Sequence, residues 1–190
     1  MENMITIVSG LPRSGTSMMM RMLDAGGMPV VVDHVRKPDE DNPVGYYEFE
    51  KVKKIKEDAA WLDSAKGKAV KMISQLLLDL PRSHRYKIIF MQRDMQEVLT
   101  SQKTMLKRRG VPNETSDEEM EKFFEIHLRD VEQWLRNQPN IEILYVDYND
   151  TMKHPEKSAQ AINAFLGDVL DVGKMTTAVD GSLYRNRRPA

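Results

Sequence analysis

The chain has 190 residues, 41% of them hydrophobic and 30% charged, with a net charge of −1 and no cysteine. A chain of this length forms one domain that buries about 70% of the surface it would expose unfolded, so 1–190 is expected to be a single domain. The balanced charge gives no overall attraction to nucleic acid or anionic membrane, and the missing cysteines exclude disulfides, thiolate metal sites and cysteine nucleophiles together.

The elements alternate along the chain. Short β-like runs occur at Met4–Val8, Val30–Val32, Ala69–Met72, Lys87–Met91 and Ile141–Tyr145, and helical patterns fill the intervals at Thr16–Ala25, Tyr47–Leu62, Ile73–Leu80, Met95–Lys107, Asp117–Asn137 and Pro155–Leu166. Asp94 with Glu97 and Ser116 with Glu119 have capping-box spacing. Pro155 suits a first helical turn and Gly167 a helix terminus. Strand–helix alternation predicts an α/β, three-layer fold with a mainly parallel central sheet of about five strands and helices on both faces. Ligands in such sheets bind beyond the carboxyl ends of the strands. Two polar segments, Asp33–Gly45 and Arg108–Ser116, read as long surface loops. No apolar run approaches the roughly 20 residues of a membrane span and no signal-peptide pattern precedes Met4. A cytoplasmic setting without membrane attachment is therefore expected. The 14 methionines are expected to fill the core.

The most informative stretch is Ser9-Gly10-Leu11-Pro12-Arg13-Ser14-Gly15-Thr16-Ser17, between the first strand and the first helix. Backbone N–H groups of such a turn point into one concavity, and the helix N-terminus adds positive dipole. The two glycines permit close approach of an anion, the hydroxyls of Thr16 and Ser17 can donate hydrogen bonds, and Arg13 brings a forked permanent charge. An ATP-binding loop places a lysine where Thr16 stands. Moving the cation three residues earlier, to Arg13, favours a terminal phosphate over a magnesium-chelated triphosphate. A second basic position, Arg93, closes the strand Lys87–Met91, and Ser101 follows eight residues later on a helix.

Taken together these segments resemble the sulfotransferase family, whose fold is P-loop NTPase-like. Pro12-Arg13-Ser14-Gly15-Thr16-Ser17 is similar to its 5′-phosphosulfate loop, Arg93 and Ser101 to its 3′-phosphate site, and Tyr145-Val146-Asp147-Tyr148, Pro155 and Phe165-Leu166-Gly167 to its later motifs. The resemblance implies an enzyme that moves a sulfonate group from the co-substrate 3′-phosphoadenosine 5′-phosphosulfate to a hydroxyl or amine, without a metal. The acceptor would be a small molecule or a polypeptide. Arg13 would stabilise charge on the leaving oxygen; its pKa is too high for proton donation. Lys71 would contact the transferring sulfonate.

The base is open at this stage. Cytosolic members carry a histidine just after a strand-end lysine, whereas Lys71-Met72-Ile73 has none. In the protein-tyrosine branch the base is a glutamate about 21 residues beyond the loop arginine, and that offset lands here on His34. Glu48, in Gly45-Tyr46-Tyr47-Glu48, is the competing candidate. The late arginines Arg185 and Arg187 match a basic segment that the family brings to the 3′-phosphate, without the glycine that usually follows it. His127 and His154 carry no pattern. A P-loop kinase acting on a small metabolite and a non-catalytic nucleotide-binding protein are the alternative readings.

Overall fold

The computed structural model describes residues 3–33, 35–37, 39, 45–112 and 115–184. Four strands, β1 (Met4–Gly10), β2 (Ala69–Lys71), β3 (Arg85–Gln92) and β4 (Ile141–Asp147), form one sheet in the order β2-β1-β3-β4, with every pairing parallel. The central strands are apolar on both faces, as a parallel sheet covered by helices requires. Alternate residues of β1 and β3 therefore enter different cores. Ile5, Ile7, Ile88 and Phe90 pack with Trp61, Leu62, Leu77, Val131 and Leu135 on one side. Val8, Ile89 and Met91 pack on the other with Met19, Met22, Leu23, Ala159, Ile162 and Met175. The first core is covered by 3₁₀ turns and by α3 (Asp117–Arg136), and the second by α1 (Thr16–Ala25), α5 (Pro155–Phe165) and α6 (Val172–Thr177). α2 (Met95–Arg108) and α4 (Tyr148–Lys153) complete the helices. The methionine-rich α1 fills the second core as its composition predicts.

The predicted fifth strand, Val30–Val32, is reduced to one bridge between Val30 and Ala69. Ala69 N donates to Pro29 O and Val31 N to Ala69 O, but the next donor, Asp33 N, turns to Glu48 O. Pairing with β2 stops after a single rung, and the sheet has four strands. The predicted helix Tyr47–Leu62 is an extended segment followed by two 3₁₀ turns, Glu50–Lys54 and Ala60–Ala65. Tyr47 adopts φ +51°, outside any right-handed helix. Burial of Val52 with Ile55 follows the three-residue repeat of a 3₁₀ turn. The same holds for Ile73–Leu80, where a 3₁₀ turn at Ser74–Asp79 buries Ser74, Leu77 and Leu80. Two short helices went unread, α4 and α6, each opened by an aspartate cap: Asp147 accepts from Asp150 N and Asp171 from Lys174 N.

The two capping boxes differ. Ser116 and Glu119 make both reciprocal bonds. Asp94 caps α2 through Glu97 N, but the Glu97 side chain is drawn off to Arg93 and Tyr184. Of the two expected loops, residues 34, 38 and 40–44 and residues 113–114 lie outside the described part. No helix of the described residues is long and apolar enough to cross a membrane.

Leu62, wholly buried beside Trp61, tests whether the 3₁₀ turns belong to the core. Leu62→Ala is expected to lower unfolding free energy by about 2–5 kcal/mol in urea titration; a change within about 0.5 kcal/mol would mark the segment as surface.

Candidate active site

Because all four strands run the same way, their carboxyl ends share one edge, and each delivers a polar group there. β1 leads into the glycine loop, β2 ends at Lys71, Arg93 follows β3, and Tyr148 follows β4. A cavity of about 360 Å³ opens along this edge, lined among others by Pro12, Arg13, Gly15, Thr16, Ser17, Tyr46, Glu48, Lys71, Arg93, Ser101 and Tyr148.

The loop is shaped by steric demand. Gly10 sits at φ +147°, and a Cβ there would lie 2.5 Å from Ser14 Oγ and 2.6 Å from Met91 O. Gly15, at φ +98°, would put a Cβ 2.3 Å from the Tyr148 ring. Arg13 itself is left-handed at φ +72°, a conformation that costs a non-glycine residue about 1–2 kcal/mol. Gly15 is also the N-cap of α1, and no side chain caps that terminus. Among the described residues no N-cap side chain takes the first-turn N–H groups where Thr16 and Ser17 line the cavity, an arrangement that fits an anion. Ser14 faces the other way: its hydroxyl is buried behind the loop and its N–H bonds Leu11 O at 3.2 Å.

Arg93 is nearly buried, with 8% of its side chain exposed, and its Nε donates to Glu97 Oε2 at 3.0 Å. Its NH1 donates to the Arg13 carbonyl at 3.0 Å, so this cation also supports the strained turn of the loop. The guanidinium lies 4.4 Å from the Tyr148 ring centroid and 5.7 Å from that of Tyr184. Tyr184 donates to Glu97 Oε1 at 2.7 Å, and its pKa is pushed up to about 12 by burial, then by Glu97. Arg13 Nε reaches across to Ser101 Oγ at 2.9 Å. The cation of the loop and the hydroxyl of the second predicted anion site therefore meet in one cavity.

At the opposite end stands a carboxylate between two cations. Glu48 Oε1 is 2.7 Å from Arg36 NH1 and 3.5 Å from Lys71 Nζ. Lys71 also donates to the Tyr46 carbonyl, which accepts from Ser17 Oγ at 3.4 Å. Burial pulls the Lys71 ammonium down to about 8, against the opposing pull of Glu48, while Arg36 and Arg13 lower it further. Ile73, in the stretch after Lys71 that has no histidine, lines the cavity as an exposed apolar residue. His34, Arg185 and Arg187 lie outside the described residues. Sequence reasoning passed over Arg36, Tyr46, Glu97, Tyr148 and Tyr184. Only the Glu97 capping spacing and the Tyr148 motif signalled any of these. His127 pairs with Ser74 at 2.8 Å, away from the cavity lining.

A sulfotransferase domain profile matches residues 5–188, and the chain belongs to the sulfotransferase family. Among solved structures it is similar to mouse sulfotransferase SULT7A1 complexed with PAP, with TM-score 0.60 and 20% identity over 100% of this chain and 69% of that one. It is also similar to the sulfotransferase domain from the curacin biosynthetic pathway, with TM-score 0.54 and 15% identity over 94% and 78%. Retinol dehydratase in complex with androsterone and inactive cofactor PAP matches with TM-score 0.49 and 16% identity over 95% of this chain. The chain spans 64% of the length of that protein. No curated protein matches by sequence.

The Arg93–Glu97 pair makes a stability prediction separate from ligand binding. Arg93→Ala removes a buried cation from a carboxylate that is 3% exposed, and is expected to lower stability by about 3–5 kcal/mol. Adding Glu97→Gln should recover part of that loss in thermal unfolding. A double variant no more stable than the single one would show that the ion pair is not the cause.

Proposed function

We propose that the protein transfers a sulfonate group from 3′-phosphoadenosine 5′-phosphosulfate to a hydroxyl or amine acceptor. The observation that carries this reading is one cavity that brings together two groups suited to anions: the loop with Arg13, Thr16 and Ser17, and the adjoining pair Arg93 and Ser101. A donor phosphorylated at both ends of its ribose calls for both. The donor supplies the activated sulfonate. Loop N–H groups, Thr16 and Ser17 hold its 5′-phosphate, Arg93 and Ser101 its 3′-phosphate, and Arg13 and Lys71 offset negative charge where the sulfonate departs. Glu48 is the base: it lies in the cavity beside Lys71 and takes the acceptor's proton. Arg185 and Arg187 are proposed to add charge at the 3′-phosphate. The acceptor, a small molecule or a polypeptide, enters on the Glu48 side. A kinase reading is weaker, because the loop has no lysine at Thr16 and Asp94, just beyond β3, uses its carboxylate to cap α2.

Calorimetry separates these readings. Adenosine 3′,5′-bisphosphate is expected to bind without magnesium and more tightly than magnesium–ADP; the opposite preference would sink the proposal. With binding established, radiolabelled transfer from the donor into an acceptor panel tests catalysis, and a wholly silent panel points to a binding protein.

The pH profile tests Lys71. Its ammonium is held at about 8, so the cation is present below that pH and lost above it. Because kcat/KM reports groups of the ligand-free protein, it is expected to fall as pH rises through about 8. Lys71→Arg, which keeps its charge, should flatten that limb; an unchanged limb would remove Lys71 from the transfer site.

A further inference from the structure

Arg36 carries no sequence signal, yet it makes the shortest contact to the proposed base. Its guanidinium carbon lies 3.3 Å from the centroid of the Tyr46 ring, and a planar guanidinium stacked on an aromatic face has little freedom to turn. Tyr46 is 5% exposed and held at both ends. Its hydroxyl donates to Asp39 Oδ1 at 2.5 Å, and its carbonyl accepts from Lys71 Nζ and Ser17 Oγ. The platform under Arg36 is thus fixed to a donor-loop hydroxyl and to the end of β2.

The backbone around Glu48 is fastened separately. Asp33 N donates to the Glu48 carbonyl at 3.2 Å, and Asp33 Oδ2 accepts from Glu50 N at 2.6 Å. Those bonds fix where Glu48 leaves the chain but not how its carboxylate is turned. The turning is done by Arg36 NH1, which donates to Oε1 at 2.7 Å, with Lys71 at 3.5 Å from the same oxygen. A guanidinium facing a carboxylate commonly takes both oxygens with its fork. Here both cations sit on one oxygen, and among the described residues no hydrogen bond reaches Oε2.

We propose that Arg36, clamped on Tyr46, is a positioning residue that pins Oε1 of Glu48 and leaves Oε2 directed to the acceptor's proton. The proposal rests on Glu48 being the base. Arg36 touches neither donor nor acceptor in this role; it preorganises the group that does.

The test uses acceptors that differ in their need for a base. At about pH 8, 4-nitrophenol is largely ionised and 4-methoxyphenol is protonated, as an ordinary phenol of pKa about 10 would be. Transfer of label from the donor is measured for the wild type, Arg36→Gln, Arg36→Lys, Tyr46→Leu and Glu48→Gln, with bisphosphate affinity as the control for folding. Arg36→Gln is expected to lower kcat for 4-methoxyphenol by ~10-fold to ~100-fold, with little change in kcat for 4-nitrophenol and unchanged bisphosphate affinity. Tyr46→Leu should reproduce that pattern, Glu48→Gln should exaggerate it, and Arg36→Lys should restore part of the loss.

Equal turnover of both phenols by Arg36→Gln and wild type overturns the proposal, as does an equal loss on both, which would make Arg36 a binding group. A Glu48→Gln variant that keeps full turnover of 4-methoxyphenol overturns instead the base on which the proposal rests.

Discussion

The site depends on one buried ion pair. Arg93 and Glu97 are nearly inaccessible to water, and an isolated charge of either sign in such a place would cost several kcal/mol. The pair is tolerable because its hydrogen-bonding capacity is shared out. Glu97 takes the Tyr184 hydroxyl as well as Arg93, and Arg93 gives one N–H to the carbonyl of Arg13 and lays its face toward Tyr148. Five separate parts of the chain therefore meet at one guanidinium: the glycine loop, the end of β3, the first turn of α2, the start of α4 and the C-terminal segment. The left-handed Arg13 is held from behind by the same cation that is proposed to meet the distal phosphate.

That arrangement gives the cavity its polarity. One end is built from backbone donors and arginines fixed by the sheet edge. The other is built from Tyr46, Glu48 and Lys71, where a short strand meets an irregular segment. The two ends are joined through the Ser17 hydroxyl and the Tyr46 carbonyl. Any ligand that takes Ser17 or Lys71 competes with the bond that anchors Tyr46, so the two ends of the cavity share partners rather than merely adjoin.

Much of the frame was legible in the sequence because it is written locally. The run Met4–Val8 with the glycines after it, the helix starting at Thr16, Arg93 at a strand end and the Ser116–Glu119 box all depend on neighbours within a few residues. The errors arose where distant contacts decided the outcome. Val30–Val32 has strand composition, but Asp33 finds Glu48, and the pairing ends. Within Tyr47–Leu62 the two 3₁₀ turns run for only five and six residues, too few for apolar spacing to tell a repeat of 3.0 from one of 3.6. Glu97 looked like the second half of a capping box because the spacing was right; only the fold brings Tyr184 to compete for it. Arg36 and Tyr46 lie in a polar stretch with no periodicity, and the role proposed for them depends on a ring stacked 3.3 Å from a guanidinium.

The packing behind the loop has a chemical consequence. α1 is pressed on the sheet through Met18, Met19, Met20 and Met22, with Met28, Met91 and Met175 completing the layer. A thioether that becomes a sulfoxide turns from an apolar filler into a polar, chiral group. A chain without cysteine is spared thiol oxidation, yet its glycine loop is seated on the side chains next most sensitive to peroxide. Oxidative damage would reach this site from beneath, by loosening the helix whose N-terminus is proposed to receive the phosphate, with every polar group of the cavity chemically intact.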